Sequence, residues 1–338
     1  MITKLWARPE IYRIFIPMPD NPLRNLNCYV LREGGECLIL DTGFNRPECA
    51  QALKDGLTEL GVRPERARLC LTHLHSDHSG LAGGFAARDI PIYMSGIDHD
   101  YLRRILEGSI WPVVEARFLQ EGFPEEAVAL QSDGNQARLF AAKSLFPVIR
   151  LAGGETLSLG PWRFSCILTP GHTPGHICLY CEDLRILFSG DHILFDVTPT
   201  ITVWNGVPHS LADYLASLEK VKNLPVARTF PAHRERLGDT QARIEAIIEH
   251  HYGRLGEILL AVGNSPGISA YDIAGRITWS ARGRPWSEFS PHQRWFAMGE
   301  TLSHLVWLLD GAYVFADSGR KYFPSGKALS REGAAPVG

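Results

Sequence analysis

Over the first two-thirds of the chain, short apolar runs alternate with amphipathic stretches. NCYVL (27–31) and CLILD (37–41) flank REGGE, a glycine-bearing turn that predicts a hairpin. Helical spacing follows from about Glu48 to Leu60, closed by Gly61 and Pro64. Further β-like runs are LCLT (69–72), PIYM (91–94), RFSCIL (163–168), ICLYC (177–181), ILFS (186–189) and ARTF (227–230), with a helix over 211–222 before the last. Several of these runs are apolar throughout, as in sheets covered on both faces. The pattern predicts an α/β layered domain.

Between Ile97 and Arg150 the period becomes helical, with Tyr101, Leu102, Ile105, Leu106, Trp111, Val114, Phe118 and Leu119 on the apolar side. This stretch reads as a helical insert between strands, placed either to cover a site or to pack as core. From Asp239 the chain turns helical. Ile244, Ile247, Ile248, His251, Leu255, Ile258, Leu259 and Val262 follow the spacing of one helix face until NSPG breaks it. SAYD (269–272) reads as a capping box on a short helix, a second helix spans about 293–309, and AYVFA and RKYFP flank DSG as a small hairpin. That order is winged-helix-like. The expected division is 1–238 as catalytic domain and 239–338 as a C-terminal helical domain, with a loose tail after Phe323.

The composition is that of a globular protein: 338 residues, 45% hydrophobic, 21% charged, net charge -3. It does not suggest a polyanion or a membrane surface as partner. The N-terminal stretch has no long apolar core and carries Pro9, Pro17 and Pro19, so no signal peptide is expected, and no run is long enough for a membrane span. Seven scattered cysteines fit free thiols in a reducing cytoplasm. Cys178 and Cys181 form a CxxC, but on a strand positions i and i+3 face opposite ways, which argues against a shared redox or zinc role.

The chemistry concentrates in THLHSDH. His73, His75, Asp77 and His78 follow a predicted buried strand within one loop, so a single loop can feed two adjacent metal positions. Three later signals have the same form. His172 in TPGHTPGH, Asp191 in SGDH and His233 in FPAH each follow an apolar β-run, where layered sheets build sites.

As an ordered set, HxHxDH, GH, GD and PAH resemble the metallo-β-lactamase superfamily, most nearly its glyoxalase II-like branch, over about Arg13 to Arg236 without the insert. The resemblance implies an αββα sandwich with two divalent metal ions at one edge. It assigns His73, His75 and His172 to the first ion and Asp77, His78 and His233 to the second, with Asp191 bridging and Asp41 of DTG as a buried brace. Zinc suits this donor set; iron or manganese remain alternatives. Two such ions activate a bridging water towards hydroxide, and Asp77 is the candidate to orient it and move a proton. His192, beside Asp191, is a candidate contact to substrate or ligands. His176 reads as structural and His251 as a buried histidine. His99, His209, His292 and His304 show no partner in the sequence, and AGGETLSLG (152–160) lacks what a phosphate loop needs.

The expected activity is hydrolysis of a small-molecule ester or thioester, including an acyl thioester, with the apolar insert lining a pocket. The alternatives are a phosphodiesterase or ribonuclease on the same metals, a mononuclear iron dioxygenase, and a nucleic-acid-binding protein. The C-terminal basic residues Arg276, Arg282, Arg284, Arg294, Arg320 and Lys321 are nearly balanced by Asp272, Glu288, Glu300, Asp310 and Asp317, which argues against nucleic acid. That region can equally pack against the catalytic domain or serve a homodimer contact. A β-lactamase is disfavoured by the lack of a secretion signal and by Asp191, where those enzymes often carry cysteine.

Overall fold

The computed structural model describes residues 1–280 and 284–330. Arg282 and the last part of the C-terminal tail therefore lie outside the described residues. A seven-stranded sheet runs in chain order: β1 (Ile2–Trp6), β2 (Glu10–Pro17), β3 (Asn25–Glu33), β4 (Glu36–Leu40), β5 (Ala67–Cys70), β6 (Ile92–Ser95) and β7 (Ile149–Leu151). Its first four strands pair antiparallel and β4 to β7 pair parallel. The parallel crossovers carry α1 (Pro47–Glu59), then α2 (Ser76–Ser79) and α3 (Gly83–Ala86), then α4 (Gly96–Leu106), α5 (Trp111–Gln120), α6 (Glu125–Asp133) and α7 (Gln136–Leu139). The last four form the predicted insert.

A five-stranded sheet contains β8 (Thr156–Leu159), β9 (Trp162–Leu168), β10 (Ile177–Cys181), β11 (Ile186–Gly190) and β12 (Arg228–Pro231), in the order 12-11-10-9-8. The α8 helix (Ser210–Lys222) crosses between β11 and β12, which are parallel. The C-terminal region adds α9 (Thr240–Asn264), α10 (Ala270–Ala274), α11 (Pro291–Asp310) and the hairpin β13 (Val314–Ala316) and β14 (Tyr322–Pro324).

Strand alternation shows why the apolar runs are unbroken. On β3, Tyr29 and Leu31 face the second sheet, against Phe188 and Phe230, while Cys28 and Val30 face α1 on the other side. On β10, Leu179 and Cys181 point between the sheets, whereas Cys178 and Tyr180 point towards α8 and the C-terminal helices. Both faces of each sheet are thus covered, giving helix, sheet, sheet, helix layers. The CxxC cysteines lie on opposite faces of β10, as their spacing predicts, and all seven cysteines are free and buried.

Four details differ from the sequence reading. The strands β1, β2, β7 and β8 carry too little uninterrupted apolar sequence to be read beforehand, and AGGETLSLG supplies β8. Leu119, placed on the apolar side of the insert, is 40% exposed because α5 turns Phe118 inwards instead. Ser269 caps α10 by accepting from the Asp272 N–H, but it also donates its own hydroxyl to the Asp272 carboxylate, so the reciprocal half of a capping box is missing. The reciprocal box belongs to Ser290 and Gln293 at the start of α11. Past Phe323 the tail is tied down as far as Ser330: Ser325 N–H donates to the Tyr313 carbonyl, Lys327 Nζ donates to the Gly311 carbonyl, and Leu329 packs on the helices.

The C-terminal helices do not stand apart. On α9, Ile244, Ile247, Leu255, Ile258 and Val262 are buried as their spacing predicts, in one cluster with Leu211 and Tyr214 of α8 and Met298 and Leu302 of α11. Asp239 caps α9 by accepting the Ala242 N–H at 2.7 Å. No helix among the described residues is long and apolar enough to cross a membrane.

Candidate metal centre

The donor residues converge at one edge of the sandwich, where four strands end. The loop after β5 carries His73, His75, Asp77 and His78, and the turn between β9 and β10 carries His172. Asp191 follows β11 and His233 follows β12. His73 Nε2 and His172 Nε2 each lie 3.0 Å from His75 Nδ1. In the second group, His78 Nε2 lies 3.2 Å from His233 Nε2, which is 3.4 Å from Asp77 Oδ2. Asp191 stands between the groups: Oδ2 is 3.5 Å from His172 Nε2, and Oδ1 is 3.3 Å from His233 Nε2 and 3.6 Å from His78 Nε2. All seven residues named from the sequence are brought together.

The protons on these rings are fixed from behind. His78 Nδ1–H donates to Asp41 Oδ2 at 2.8 Å, His172 Nδ1–H to the Thr200 carbonyl at 3.0 Å, and His233 Nδ1–H to the Asn25 carbonyl at 2.8 Å. The Thr72 hydroxyl donates to Asp41 Oδ2 and so accepts from His73 Nδ1, 3.0 Å away. Each of these four rings therefore turns its Nε2 towards the others, and those of His73 and His172, whose burial keeps them neutral, are bare. Ring nitrogens and carboxylate oxygens converge here 3.0–3.8 Å apart, a spacing at which a shared cation offsets the repulsion between lone pairs. Tetrahedral coordination at zinc bonds of about 2.0–2.1 Å implies donors roughly 3.4 Å apart, so the residues present fit such ions. Asp191 Oδ1, buried and without a hydrogen-bond partner, points the same way.

Electrostatics separate the two groups. Burial pushes His73 and His75 well below the ordinary histidine range, with neighbouring imidazoles adding to the effect, and burial also lowers His172. These rings are neutral and ready to bind metal at neutral pH. Burial opposes charge on His78 too, but Asp41, Asp191 and Asp77 raise it well above its usual value. For His233, Asp191 outweighs the burial. Burial would raise the Asp191 carboxyl, yet His233 and His78 hold it well below the carboxylate range.

Asp41 fills the bracing position. It is buried, adopts a left-handed φ of 61°, and accepts the Thr72 N–H at 2.8 Å besides the contacts above. His176 is structural: Nδ1 donates to Thr169 Oγ1 and Nε2 accepts the Asp191 N–H at 3.1 Å, which sets the backbone carrying the central carboxylate. Gly190, at φ 51°, keeps that approach open, because a Cβ there would lie 2.6 Å from His176 Nε2. His192 is not brought to the donors. Its ring lies 6.0 Å from that of His176 and 5.2 Å from that of Tyr214, neither nitrogen has a hydrogen-bond partner, and burial lowers it to about 3.

Two residues escaped the sequence reading. Asp98, at the start of α4 and fully buried, accepts Leu74 N–H, Thr173 Oγ1–H and Gly175 N–H. It ties the His73–His75 loop to the His172 turn. Its only local signal is an aspartate just after a predicted strand, inside a stretch otherwise read as apolar insert. Trp204 was also missed; its ring stacks on His75 at 5.7 Å.

The sequence profile of the metallo-beta-lactamase superfamily matches residues 22–233, a span that runs through the sandwich and ends at the last donor. The chain belongs to this superfamily. Among curated relatives, the beta-lactamase-like protein 2 homolog of Caenorhabditis elegans is 29% identical over 271 residues, covering 78% of this chain and 74% of the relative. The human acyl-coenzyme A thioesterase MBLAC2 is 27% identical over 223 residues, covering 63% of this chain and 74% of the relative. Among solved structures, a metallo-beta-lactamase family protein from Thermus thermophilus is 28% identical with a TM-score of 0.79, covering 93% of this chain and 98% of that one. This last match extends the likeness through the C-terminal helices.

A cavity opens directly beside the donor loop of this superfamily member. His75, Ser76 and Ser79 of the donor loop line it together with helices α4, α5 and α7, residues 202–204, and Trp295 and Phe296 of α11. Its walls are mostly apolar, and among the described residues that line it there is no lysine or arginine. Expected cover for a site is thus found in the insert, but α11 contributes as well.

Proposed function

We propose that this metal-dependent hydrolase cleaves a thioester carrying an apolar acyl group. The observation that carries the reading is the apolar cavity with a metal-ligand candidate, His75, in its lining: an acyl chain seated there would present its carbonyl to the donor cluster. The human relative's name, an acyl-coenzyme A thioesterase, supports the same bond type.

In this reading His73, His75 and His172 hold one ion, Asp77, His78 and His233 hold the second, and the two oxygens of Asp191 reach both. Zinc is the proposed metal because imidazole-rich sites with few oxygens suit it. When bound, the ions lower the pKa of water and polarise the carbonyl. The chain's residues do the rest. Asp41, Thr72 and the carbonyls of Thr200 and Asn25 hold the imidazole tautomers. Asp77, whose side chain is more open than that of Asp191, takes the proton from water at its carboxylate. A thiol pKa of about 8.5 makes thiolate a competent leaving group, so a thioester needs no separate strong acid. The apolar walls keep bulk water from the acyl side.

The test is turnover by the zinc-loaded protein of acyl-CoA, p-nitrophenyl esters, S-lactoylglutathione, bis-p-nitrophenyl phosphate and single-stranded RNA, with metal content measured alongside. Thioester cleavage with about two zinc per chain is the expected result. Phosphodiester or RNA cleavage without thioester turnover overturns it.

A further inference from the structure

Resting on the thioester reading above, we propose that the acyl group selected by this site is the size of one aromatic ring, as in a phenylacetyl thioester, and not a long fatty chain. The cavity beside His75 has a volume of about 150 Å³. An apolar cavity of that volume is known to accommodate benzene, roughly six carbons. A palmitoyl chain carries more than twice that number and cannot be wholly enclosed there.

The lining favours a flat ring. Tyr101, Trp111, Trp204, Trp295 and Phe296 offer aromatic faces and edges, against which a ring gains stacking beyond simple area burial. Tyr101 meets Trp204 edge to face at 5.0 Å and 88°. Two of these walls are also held from behind, which resists lengthening of the cavity. Trp295 stacks on Phe118 at 4.0 Å, and the guanidinium of Arg138 lies 3.7 Å over the Trp111 ring while also bridging to Glu115. Among the described residues that line it there is no methionine, the side chain that most readily reshapes a pocket. Packed walls of this kind set an upper limit on acyl size.

The experiment compares kcat/KM of the zinc-loaded full chain for acetyl-, phenylacetyl- and palmitoyl-CoA. Phenylacetyl-CoA is expected to exceed each of the others at least tenfold. Trp111→Ala, which opens the outer wall, should shift the palmitoyl-to-phenylacetyl ratio at least tenfold towards palmitoyl. Binding is read separately by tryptophan fluorescence, with phenylacetate expected to bind at least tenfold more tightly than the ring-less control acetate. Ring-selective binding without turnover of any CoA ester would uphold the cavity's selectivity and sink the thioester reading. Palmitoyl-CoA turned over as well as phenylacetyl-CoA, or equal binding of the two acids, overturns the proposal.

Discussion

Two histidine clusters are buried in this molecule, and they are built differently. At the sandwich edge, four rings donate outward to oxygen and turn their other nitrogens on one another, with carboxylates among them. Between α9 and α11, His250, His251 and Glu300 also place donor atoms close together. There, however, His304 Nδ1–H donates to the Glu300 carbonyl, His251 Nδ1–H donates to His304 Nε2 at 3.1 Å, and the guanidinium of Arg254 lies 3.7 Å from the Glu300 carboxylate. Positive charge is already supplied by the chain. What separates the clusters is therefore where the ring protons point and whether the carboxylates lack a cation, not how many histidines gather.

The strongest way to test this contrast is Asp191→Ala. It removes the carboxylate between both groups, and elemental analysis should show metal falling from about two per chain to one or fewer, with hydrolysis at background. Retention of both metals would sink the shared-carboxylate arrangement. Asp98→Ala leaves every donor in place but unties the two ligand loops. Metal affinity should fall roughly 10–100-fold, as for other residues that orient ligands, measured by competition with a chelator. A change under twofold would mean that the loops hold themselves.

Much of the edge cluster was legible because each donor sits in a short motif just past an apolar run, and strand ends deliver such loops to one edge. What orients the donors was mostly hidden. The partners of His172 and His233 are backbone carbonyls of Thr200 and Asn25, which carry no residue signature. Asp98 acts across 75 residues on Thr173. The His251–His304 bond spans 53 residues, so each looked solitary in the sequence. The seating of α11 against residues 200–204 depends on Gly299, where a Cβ would meet the Thr202 hydroxyl at 2.4 Å, and a glycine inside a helix does not announce such a neighbour.

Smaller effects sharpen the contrast further. Ser303 on α11 donates to the Ile201 carbonyl at 2.6 Å, next to the residue that orients His172. Losing one such bond is worth about 0.5–1.5 kcal/mol, so Ser303→Ala should lower kcat/KM by roughly two- to tenfold with the metal count unchanged. No change in kcat/KM would uncouple α11 from the edge cluster.

The inner pair responds to pH. Burial lowers His304 to about 4 from its ordinary 6.5, so the folded state keeps it neutral while the unfolded chain protonates. Its stability contribution is intact above pH 6.5 and is lost as pH falls from there towards 4. In urea titrations, His304→Asn should flatten the loss of stability over that window by up to about one proton. An unchanged slope would place the titration elsewhere. The least effect is expected from His251→Phe, which should leave about two metals bound per chain. A fall in metal content would make the inner cluster a metal site after all.

Residues 200–204 form one strap with two duties. The Thr200 carbonyl steers His172, while Thr202, Val203 and Trp204 shape the cavity, and α11 fastens the strap from outside through Gly299 and Ser303. An exchange on α11 that tilts the strap is thereby inherited as two traits at once, a new cavity outline and a new ring angle. Drift in the carboxy-terminal helices can diversify preference while all seven donors stay unaltered, so lineages sharing the complete donor set are poor guides to one another's diets.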